Sequence, residues 1–168
     1  WDCTVRQGPS SCRMHAVSWF RKGLRLHDNP ALVECARSSK GGWCLPLFIL
    51  DPSFTARNTV GPRRWQFLFE SLEDLSQSLK AKYNSSLYIG KGDPLSVFKW
   101  LHTHLQLNLI CWEDCTEPYA RQRDATVRAW AETQGIQVRV FASETLQLPF
   151  PPSCRVHRIH RRRPGKEA

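Results

Sequence analysis

The chain carries at residues 15–32 the stretch HAVSWFRKGLRLHDNPAL. Its apolar run at residues 16–20 is typical of a strand buried on both faces. Asn29 suits a helix N-cap and Pro30 the first helical position, because the proline nitrogen needs no hydrogen-bond partner there. A strand that leads through a basic, glycine-bearing loop into a helix indicates an open α/β fold. In such folds the loop lies at the carboxyl end of the strand, where ligands bind.

The rest of the chain repeats this alternation of strands and helices. Apolar runs predict further strands at 43–50, 86–89, 109–112 and 137–141, the last one alternating as a half-covered edge strand does. Helices are predicted at 30–38, 62–83 and 118–133, with another that begins after Asp93, and residues 53–60 are predicted to be a polar surface loop. The pattern predicts a Rossmann-like, doubly wound, five-stranded parallel sheet with helices on both faces.

Residues 19–30, WFRKGLRLHDNP, resemble the opening signature of the photolyase/cryptochrome family, in the version shared by animal cryptochromes and six-four photolyases. The resemblance continues in FILDP at 48–52, in RWQFL and SLEDL at 64–68 and 71–75, and in Glu117-Pro118 with Arg123-Asp124. It extends from residue 15 to about residue 146 and then stops.

The resemblance implies a light-harvesting antenna domain at 15–146, which in that family precedes a larger helical domain. The helical domain holds FAD and performs the photochemistry, so FAD is expected only in the full-length protein. We therefore expect a truncated member of the family with no catalytic residue of its own, whose parent family acts in blue-light sensing, circadian regulation or light-driven DNA repair. Residues 1–14 are expected to be a leader or a flexible N-terminus, and the Pro/Arg-rich residues 147–168 a disordered basic tail.

The candidate ligand site lies at the carboxyl end of the first strand. Arg21, Lys22 and Arg25 could hold an anionic group, such as the phosphate or glutamate tail of a folate or deazaflavin antenna chromophore. The resemblance adds Asp51 and Glu117 to the cofactor-binding set. The alternative for the three cations is a contact with another domain or a solvated face.

The acidic residues after the fourth strand are a second cluster at the same edge. Glu113, Asp114 and Glu117 could do acid–base work or bind a cation, but no nucleophile accompanies them. Glu117 is expected either to bind a ligand or to pair with Arg21 or Arg123.

The alternative function is a small nucleotide-binding regulatory protein. Gly90-x-Gly92 before a helix resembles a phosphate-binding turn. However, it lacks the third glycine of a dinucleotide fingerprint, does not follow the first strand, and no P-loop motif is present.

Composition limits the remaining possibilities. The 168 residues carry a net charge of +9, and the last nineteen hold six basic residues against one acid, so the tail could contact nucleic acid. Seven cysteines at irregular spacings favour a reduced intracellular protein without a metal site. No apolar run is long enough for a membrane span. The family resemblance implies clock or signalling proteins as partners and a location in nucleus and cytoplasm.

Overall fold

The computed structural model describes residues 13–39, 41–55 and 60–142. They form five strands and five helices, in the order β1 (His15–Phe20), α1 (Pro30–Ser38), β2 (Trp43–Leu50), α2 (Pro52–Thr55), α3 (Pro62–Tyr83), β3 (Tyr88–Lys91), α4 (Pro94–Leu105), β4 (Leu109–Glu113), α5 (Pro118–Thr133) and β5 (Gln137–Phe141). The predicted leader at 1–14 lies almost wholly outside the described residues, as do residues 143–146 and the tail at 147–168.

The strands form one parallel sheet in the order β3-β2-β1-β4-β5. β1 is central, and Ala16 lies between Cys44 of β2 and Leu109 of β4. Every adjacent pair of strands is parallel, so the crossovers place helices on both faces. The predicted doubly wound α/β fold is confirmed, with β5 at an edge as its alternating sequence predicts.

The helix ends follow from local side-chain chemistry. Asn29 Oδ1 accepts a hydrogen bond from the Leu32 amide at 2.9 Å, and Asp93 Oδ2 accepts one from the Ser96 amide at 3.0 Å. Each satisfies an amide that has no partner within its helix. Gly135, at φ +70°, follows the end of α5 in the left-handed conformation that glycine adopts without strain.

The sheet packs its two faces against different helices. Val17, Trp19 and Trp112 lie on one face with Phe98 of α4 and Val127 of α5. The opposite face packs against α1 and α3 through a second group of buried side chains, Ala16, Phe20, Ala31, Leu32, Cys35, Leu75 and Leu79. The central strand therefore contributes to both layers of the core.

Two local predictions were wrong. Residues 52–55 form α2, because Asp51 Oδ1 accepts a hydrogen bond from the Ser53 amide at 2.9 Å and so starts a helical turn. β3 begins two residues later than predicted, since Leu47 pairs with Tyr88 and Leu50 with Lys91. The limits of β3 therefore depend on its pairing with β2, which is distant in the chain and ends at Leu50, opposite Lys91.

The described residues contain neither a candidate membrane-spanning helix nor a candidate metal site. None of their helices has the length and apolar content that a membrane span requires. No group of three or more histidine, cysteine or acidic side chains among them is arranged to hold a metal ion.

Candidate functional site

The carboxyl ends of β1, β2 and β4 bring distant charged residues together at one edge of the sheet. The basic loop at 21–25 follows β1, Asp51 follows β2, and Glu113 ends β4. The first turns of α5 lie beside them. We call the charged side chains at this edge the carboxyl-edge cluster; it consists of Arg21, Lys22, Arg25, Asp51, Glu113, Glu117, Arg123 and Asp124.

Asp124 is the centre of the inner part of the cluster. Its Oδ2 lies 2.5 Å from Arg21 Nη1, and its Oδ1 lies 3.0 Å from Arg123 Nη2. Arg123 Nη1 also lies 3.6 Å from Asp51 Oδ2. The four side chains are largely buried, so each of these charges depends on its partners for the stabilisation that water would otherwise give.

Two aromatic side chains, Trp19 and Tyr119, contact this inner part of the cluster. The guanidinium carbons of Arg21 and Arg123 lie 5.1 and 4.7 Å from the centre of a Trp19 ring, within range of cation–π attraction. The Tyr119 hydroxyl lies 2.9 and 2.8 Å from the two carboxylate oxygens of Asp51 and donates its hydrogen bond to that group. Burial raises the pKa of Tyr119, and the bond to Asp51 raises it further, so the hydroxyl stays protonated at neutral pH.

Lys22 and Glu117 form an outer pair at the rim. Lys22 Nζ donates to Glu117 Oε1 at 2.8 Å, and their side chains are 67% and 59% exposed. This hydrogen bond raises the pKa of Lys22 and lowers the pKa of Glu117. An ion pair this exposed contributes little to stability and can exchange partners readily.

Arg25 has a structural role in the loop. Its Nη2 lies 3.2 Å from Glu113 Oε1, and its Nε and Nη2 both donate to the main-chain carbonyl of Asp28, at 3.2 and 3.1 Å. Asp28 has a φ of +50°, a conformation that non-glycine residues seldom adopt, and Arg25 helps to hold it. Burial raises the pKa of Glu113, while Arg25 and Arg21 act in the opposite direction.

The charges of the cluster balance. Four cations face four carboxylates, and each cation has a carboxylate within 4 Å. Three buried side-chain nitrogens have no partner among the described residues: Arg21 Nη2, Trp112 Nε1 and His102 Nδ1. Of these, only Arg21 Nη2 belongs to the carboxyl-edge cluster. A buried donor without an acceptor is costly, so an acceptor that reached Arg21 Nη2 would be well stabilised.

The five predicted site residues all lie at this edge, but they do not form one constellation. Arg21 and Asp51 belong to the buried inner part, where Arg123 and Asp124 connect them. Lys22 and Glu117 form the exposed rim pair, and Arg25 holds the loop. Glu117 was expected to bind a ligand or to pair with Arg21 or Arg123; its ion pair is with Lys22.

The sequence analysis assigned no site role to Asp124 or Tyr119, and it named Arg123 only as a possible partner of Glu117. A signal for Asp124 was available in the helical periodicity. The buried face of α5 consists of Ala120, Asp124, Val127 and Ala131. An aspartate on an otherwise apolar stripe must find a cation, which marks it as part of a buried polar group.

Clefts next to the cluster are small. A cleft of ≈ 270 Å³ lies beside Tyr119 and Arg123 and extends to Asp93 and Gln122. A larger groove of ≈ 770 Å³ lies elsewhere, along the edge strand β3 and α4, and includes Gly90, Gly92 and Trp100. At that groove the first turn of α4 is already capped by Asp93, whose carboxylate takes the Ser96 amide and hydroxyl and would repel a phosphate.

The inner part of the cluster offers donors for a single anionic group. Arg21 Nη2 is a buried donor suited to an anionic oxygen, and Arg123 shares the carboxylate of Asp124 with Arg21. Arg123 and Tyr119 line the cleft of ≈ 270 Å³, but Arg21 is not among its lining residues. The cleft is smaller than the roughly 300–1,000 Å³ of typical cofactor pockets, so a ring system would extend beyond it.

Comparison with known proteins gives a consistent result. A family model described as DNA photolyase matches residues 16–150. Cryptochrome-1 of Erithacus rubecula is 44% identical over 133 residues, which cover 79% of this chain and 21% of that protein. Cryptochrome-2 of Gallus gallus is 43% identical over 135 residues, covering 80% of this chain and 22% of that protein. The chain spans about a fifth of the length of these curated relatives.

Solved structures agree with the sequence matches. A bacterial class III photolyase from Agrobacterium tumefaciens superposes with a TM-score of 0.71 at 26% identity, covering 83% of this chain and 27% of that one. An archaeal photolyase from Sulfolobus tokodaii, solved with two FAD molecules, superposes with a TM-score of 0.64 at 26% identity, covering 76% of this chain and 29% of that one. The chain belongs to the photolyase/cryptochrome family, and its described residues have the fold of the N-terminal α/β domain of that family.

Proposed function

We propose that residues 15–146 are the antenna-type domain of a cryptochrome-like protein, and that the carboxyl-edge cluster is a binding site and not a catalytic centre. The proposed ligand is an antenna chromophore of the folate or deazaflavin type, whose anionic end is held by Arg21 and Arg123. The observation that supports it is Arg21 Nη2, a buried guanidinium donor that lacks an acceptor among the described residues. A carboxylate or phosphate oxygen at that point would supply the missing acceptor.

The other members of the cluster have separate roles in this proposal. Asp124 orients Arg21 and Arg123, and Asp51 holds Tyr119 with its hydroxyl hydrogen bonded. Trp19 positions both guanidiniums, which lie over its ring within cation–π range. Because the cations are already paired, an anionic ligand gains less than it would from free charges, and we expect weak binding.

The family implies FAD and photochemistry, and we propose that both belong to a helical domain of the full-length protein and not to residues 15–146. We propose that residues 15–146 alone neither repair DNA nor sense light. Purified protein incubated with FAD and desalted should show no flavin absorption. Retention of stoichiometric flavin would contradict this proposal.

Titration with a reduced folate tests the chromophore proposal. Binding to the full chain should be followed by calorimetry and by the absorption of the bound folate, with a deazaflavin and ATP as parallel ligands. Arg21→Lys keeps the charge and removes the forked donor, so it should weaken folate or deazaflavin binding about tenfold or more. Arg128→Lys, on the exposed side of α5, is the matched control and should change nothing.

Three results would contradict the chromophore proposal. The first is that neither chromophore binds. The second is that a chromophore binds equally well to wild type and to Arg21→Lys. The third is that only ATP binds. If ATP alone binds and Gly90→Ala abolishes binding, the alternative of a nucleotide-binding regulator is supported.

A second candidate function is docking of a clock or signalling protein at the same edge. The exposed Lys22–Glu117 pair favours it, because balanced and solvent-exposed charges can re-pair across a protein interface with little cost. Lys22→Glu should weaken capture of a clock protein that binds the cryptochrome relatives. The double variant Lys22→Glu with Glu117→Lys should not restore this capture, because the partner is complementary to the sign of the charge at each position. Unchanged capture by both variants would exclude docking at this rim.

The basic tail is proposed to contact nucleic acid, and the protein is proposed to be present in nucleus and cytoplasm. Six basic residues against one acid after residue 149 support electrostatic contact with phosphates. Deleting residues 150–168 should abolish retention on DNA at low salt and reduce the nuclear fraction of a fluorescent fusion. Unchanged retention and distribution would contradict these proposals.

A further inference from the structure

Helix α1 and strand β2 bring two cysteines into contact on the face of the sheet covered by α1. Cys35 Sγ lies 2.6 Å from Cys44 Sγ. A disulfide bond measures about 2.0 Å, so a small movement of two side chains would allow the bond to form. The two residues are nine positions apart in the chain, and their contact joins different elements of secondary structure.

The position of each cysteine follows from the packing of α1 on the sheet. Cys35 is fully buried on the inner side of α1, one turn after Ala31. Cys44 is the second residue of β2 and pairs in register with Ala16. Both lie near the amino end of the strands, whereas the carboxyl-edge cluster lies at the opposite end. The pair is therefore separate from the binding site.

The two sulfur atoms differ in accessibility. A groove of ≈ 400 Å³ between α1 and α3 leads to Cys44, and its apolar lining includes Leu32, Ala36 and Leu79. Cys35 has no exposed surface. The hydrogen bond to Cys44 and burial together raise the pKa of Cys35 well above its usual range, so Cys35 keeps its proton until the group that leaves Cys44 can accept it. A small oxidant that enters the groove would meet Cys44 first.

A third cysteine nearby provides an internal comparison. Cys111 of β4 is equally buried and belongs to the same cluster of core side chains as Cys35. Burial raises the pKa of Cys111 to about 12, with smaller effects from neighbouring charges. Its sulfur has no contact of the kind that joins Cys35 and Cys44 among the described residues.

We propose that Cys35 and Cys44 form a dithiol–disulfide pair that a hydroperoxide such as hydrogen peroxide oxidises. In the first step the Cys44 sulfur attacks one peroxide oxygen, an S–O bond forms, the O–O bond breaks, and water leaves with the thiol proton. In the second step the Cys35 sulfur attacks the sulfenic sulfur of Cys44, the S–S bond forms, the S–O bond breaks, and a second water leaves with the other thiol proton. The two sulfur atoms lose two electrons, which reduce the peroxide.

The disulfide would fasten α1 to the amino end of β2. It would close a short loop that contains the end of α1 and the turn at Gly41 and Gly42, so it would restrict the unfolded chain more than the folded one. Oxidation should therefore raise the melting temperature by roughly 5–10 °C, and dithiothreitol should reverse the rise.

The test compares reduced and peroxide-treated full-length chain. After treatment, the protein is unfolded in denaturant, so that buried thiols also react, and the remaining thiols are alkylated; peptides are then analysed by mass spectrometry without reduction. The expected product is a Cys35–Cys44 linked peptide, with loss of two of the seven thiols and the rise in melting temperature. Cys44→Ser should abolish both the linked peptide and the thermal shift, and Cys111→Ala should retain both.

Wild-type protein keeps the proposal testable even if Cys44→Ser folds poorly, because the linked peptide is mapped directly. Full alkylation of Cys35 and Cys44 after peroxide treatment, in protein that stays folded, would overturn the proposal. A linked peptide that joins Cys44 to any cysteine other than Cys35 would also overturn it.

Discussion

Arg21 and Asp124 are 103 residues apart in the chain and form an ion pair of 2.5 Å, with side chains that are 10% and 11% exposed. Asp124 also pairs with Arg123, so one carboxylate serves two guanidiniums. This arrangement joins the loop after β1 to α5 at the carboxyl edge of the sheet. It also leaves one buried guanidinium donor for an additional acceptor.

Removing the charge of Asp124 should destabilise the domain strongly. Asp124→Asn leaves Arg21 and Arg123 buried without their shared carboxylate, and the loss should be about 3–5 kcal/mol in the free energy of unfolding. The exposed rim pair provides the control, since Glu117→Gln should cost less than about 1 kcal/mol. Urea unfolding of both variants measures the difference. Equal losses would show that the inner pair is not a structural centre.

Phe98 should be among the residues that most stabilise the core. It is fully buried and lies edge-on to Trp19, with ring centres 5.2 Å apart. Phe98→Ala should cost about 3–5 kcal/mol, through lost burial and the cavity left behind. Phe67→Ala on α3, where the side chain is 71% exposed, should stay within about 0.5 kcal/mol of wild type. Thermal and urea unfolding compare the two, and a similar cost for both would contradict the described core.

Gly42 should not tolerate a side chain, although its backbone conformation is ordinary. A Cβ at Gly42 would lie 2.6 Å from the carbonyl carbon of Met14 and still closer to its oxygen. Because main-chain atoms cannot move aside, Gly42→Ala should cost about 1–3 kcal/mol or shift the start of β2.

Gly61→Ala is the matched control for this substitution. A Cβ there meets nothing within 4 Å, and Gly61 is the N-cap of α3. The change should cost about 0.5–1 kcal/mol at most, roughly the difference between glycine and alanine at an N-cap, and less than Gly42→Ala. The free energies of unfolding of both variants decide the matter; a costly Gly61→Ala with a neutral Gly42→Ala would contradict the packing at the start of β1.

Glu113 should titrate above the ordinary range of glutamate. Burial raises its pKa and Arg25 opposes this effect, so Arg25→Met should raise the pKa further. A carboxyl group whose folded pKa exceeds its unfolded pKa holds its proton more tightly in the folded state. Its contribution to stability is therefore largest at low pH and declines as pH rises from the unfolded pKa through the folded pKa. The decline should be steeper in Arg25→Met.

Carbon-13 NMR titration of the Glu113 carboxyl, together with unfolding measured across acidic pH, tests this expectation. Lys91→Met on the exposed edge strand is the control and should leave the titration unchanged. A Glu113 pKa below the ordinary value, or a lower one in Arg25→Met, would contradict it.

The sequence signals that succeeded were local or periodic ones. Apolar runs predicted the strands, and Asn29-Pro30 and Asp93-Pro94 marked helix starts that the structure confirms through side-chain caps. The same type of signal was missed at Asp51-Pro52, because four residues of helix carry no periodicity that distinguishes them from a loop.

The site itself was predicted only in part. A basic loop after β1 and acidic residues after β4 were expected at one edge, because parallel strands end together, and the family resemblance added Asp51. The partners of the individual charges were not predictable. Glu117 was expected to bind a ligand or to pair with Arg21 or Arg123, and its ion pair in the structure is with Lys22. Such pairing depends on the rotation of α5 about its axis, which brings Asp124 and not Glu117 to the buried side.

Short-range chemistry in the amino-acid sequence was sufficient for the succession of the five strands and of every helix except α2, for the parallel sheet and for the family resemblance. The tertiary structure alone decided three contacts: Asp124 between two arginines, Tyr119 on Asp51, and Cys35 against Cys44. The physical reason is that strand and helix periodicity is written in neighbouring residues. A contact between side chains of different elements depends on how the packed core sets the register and rotation of each element.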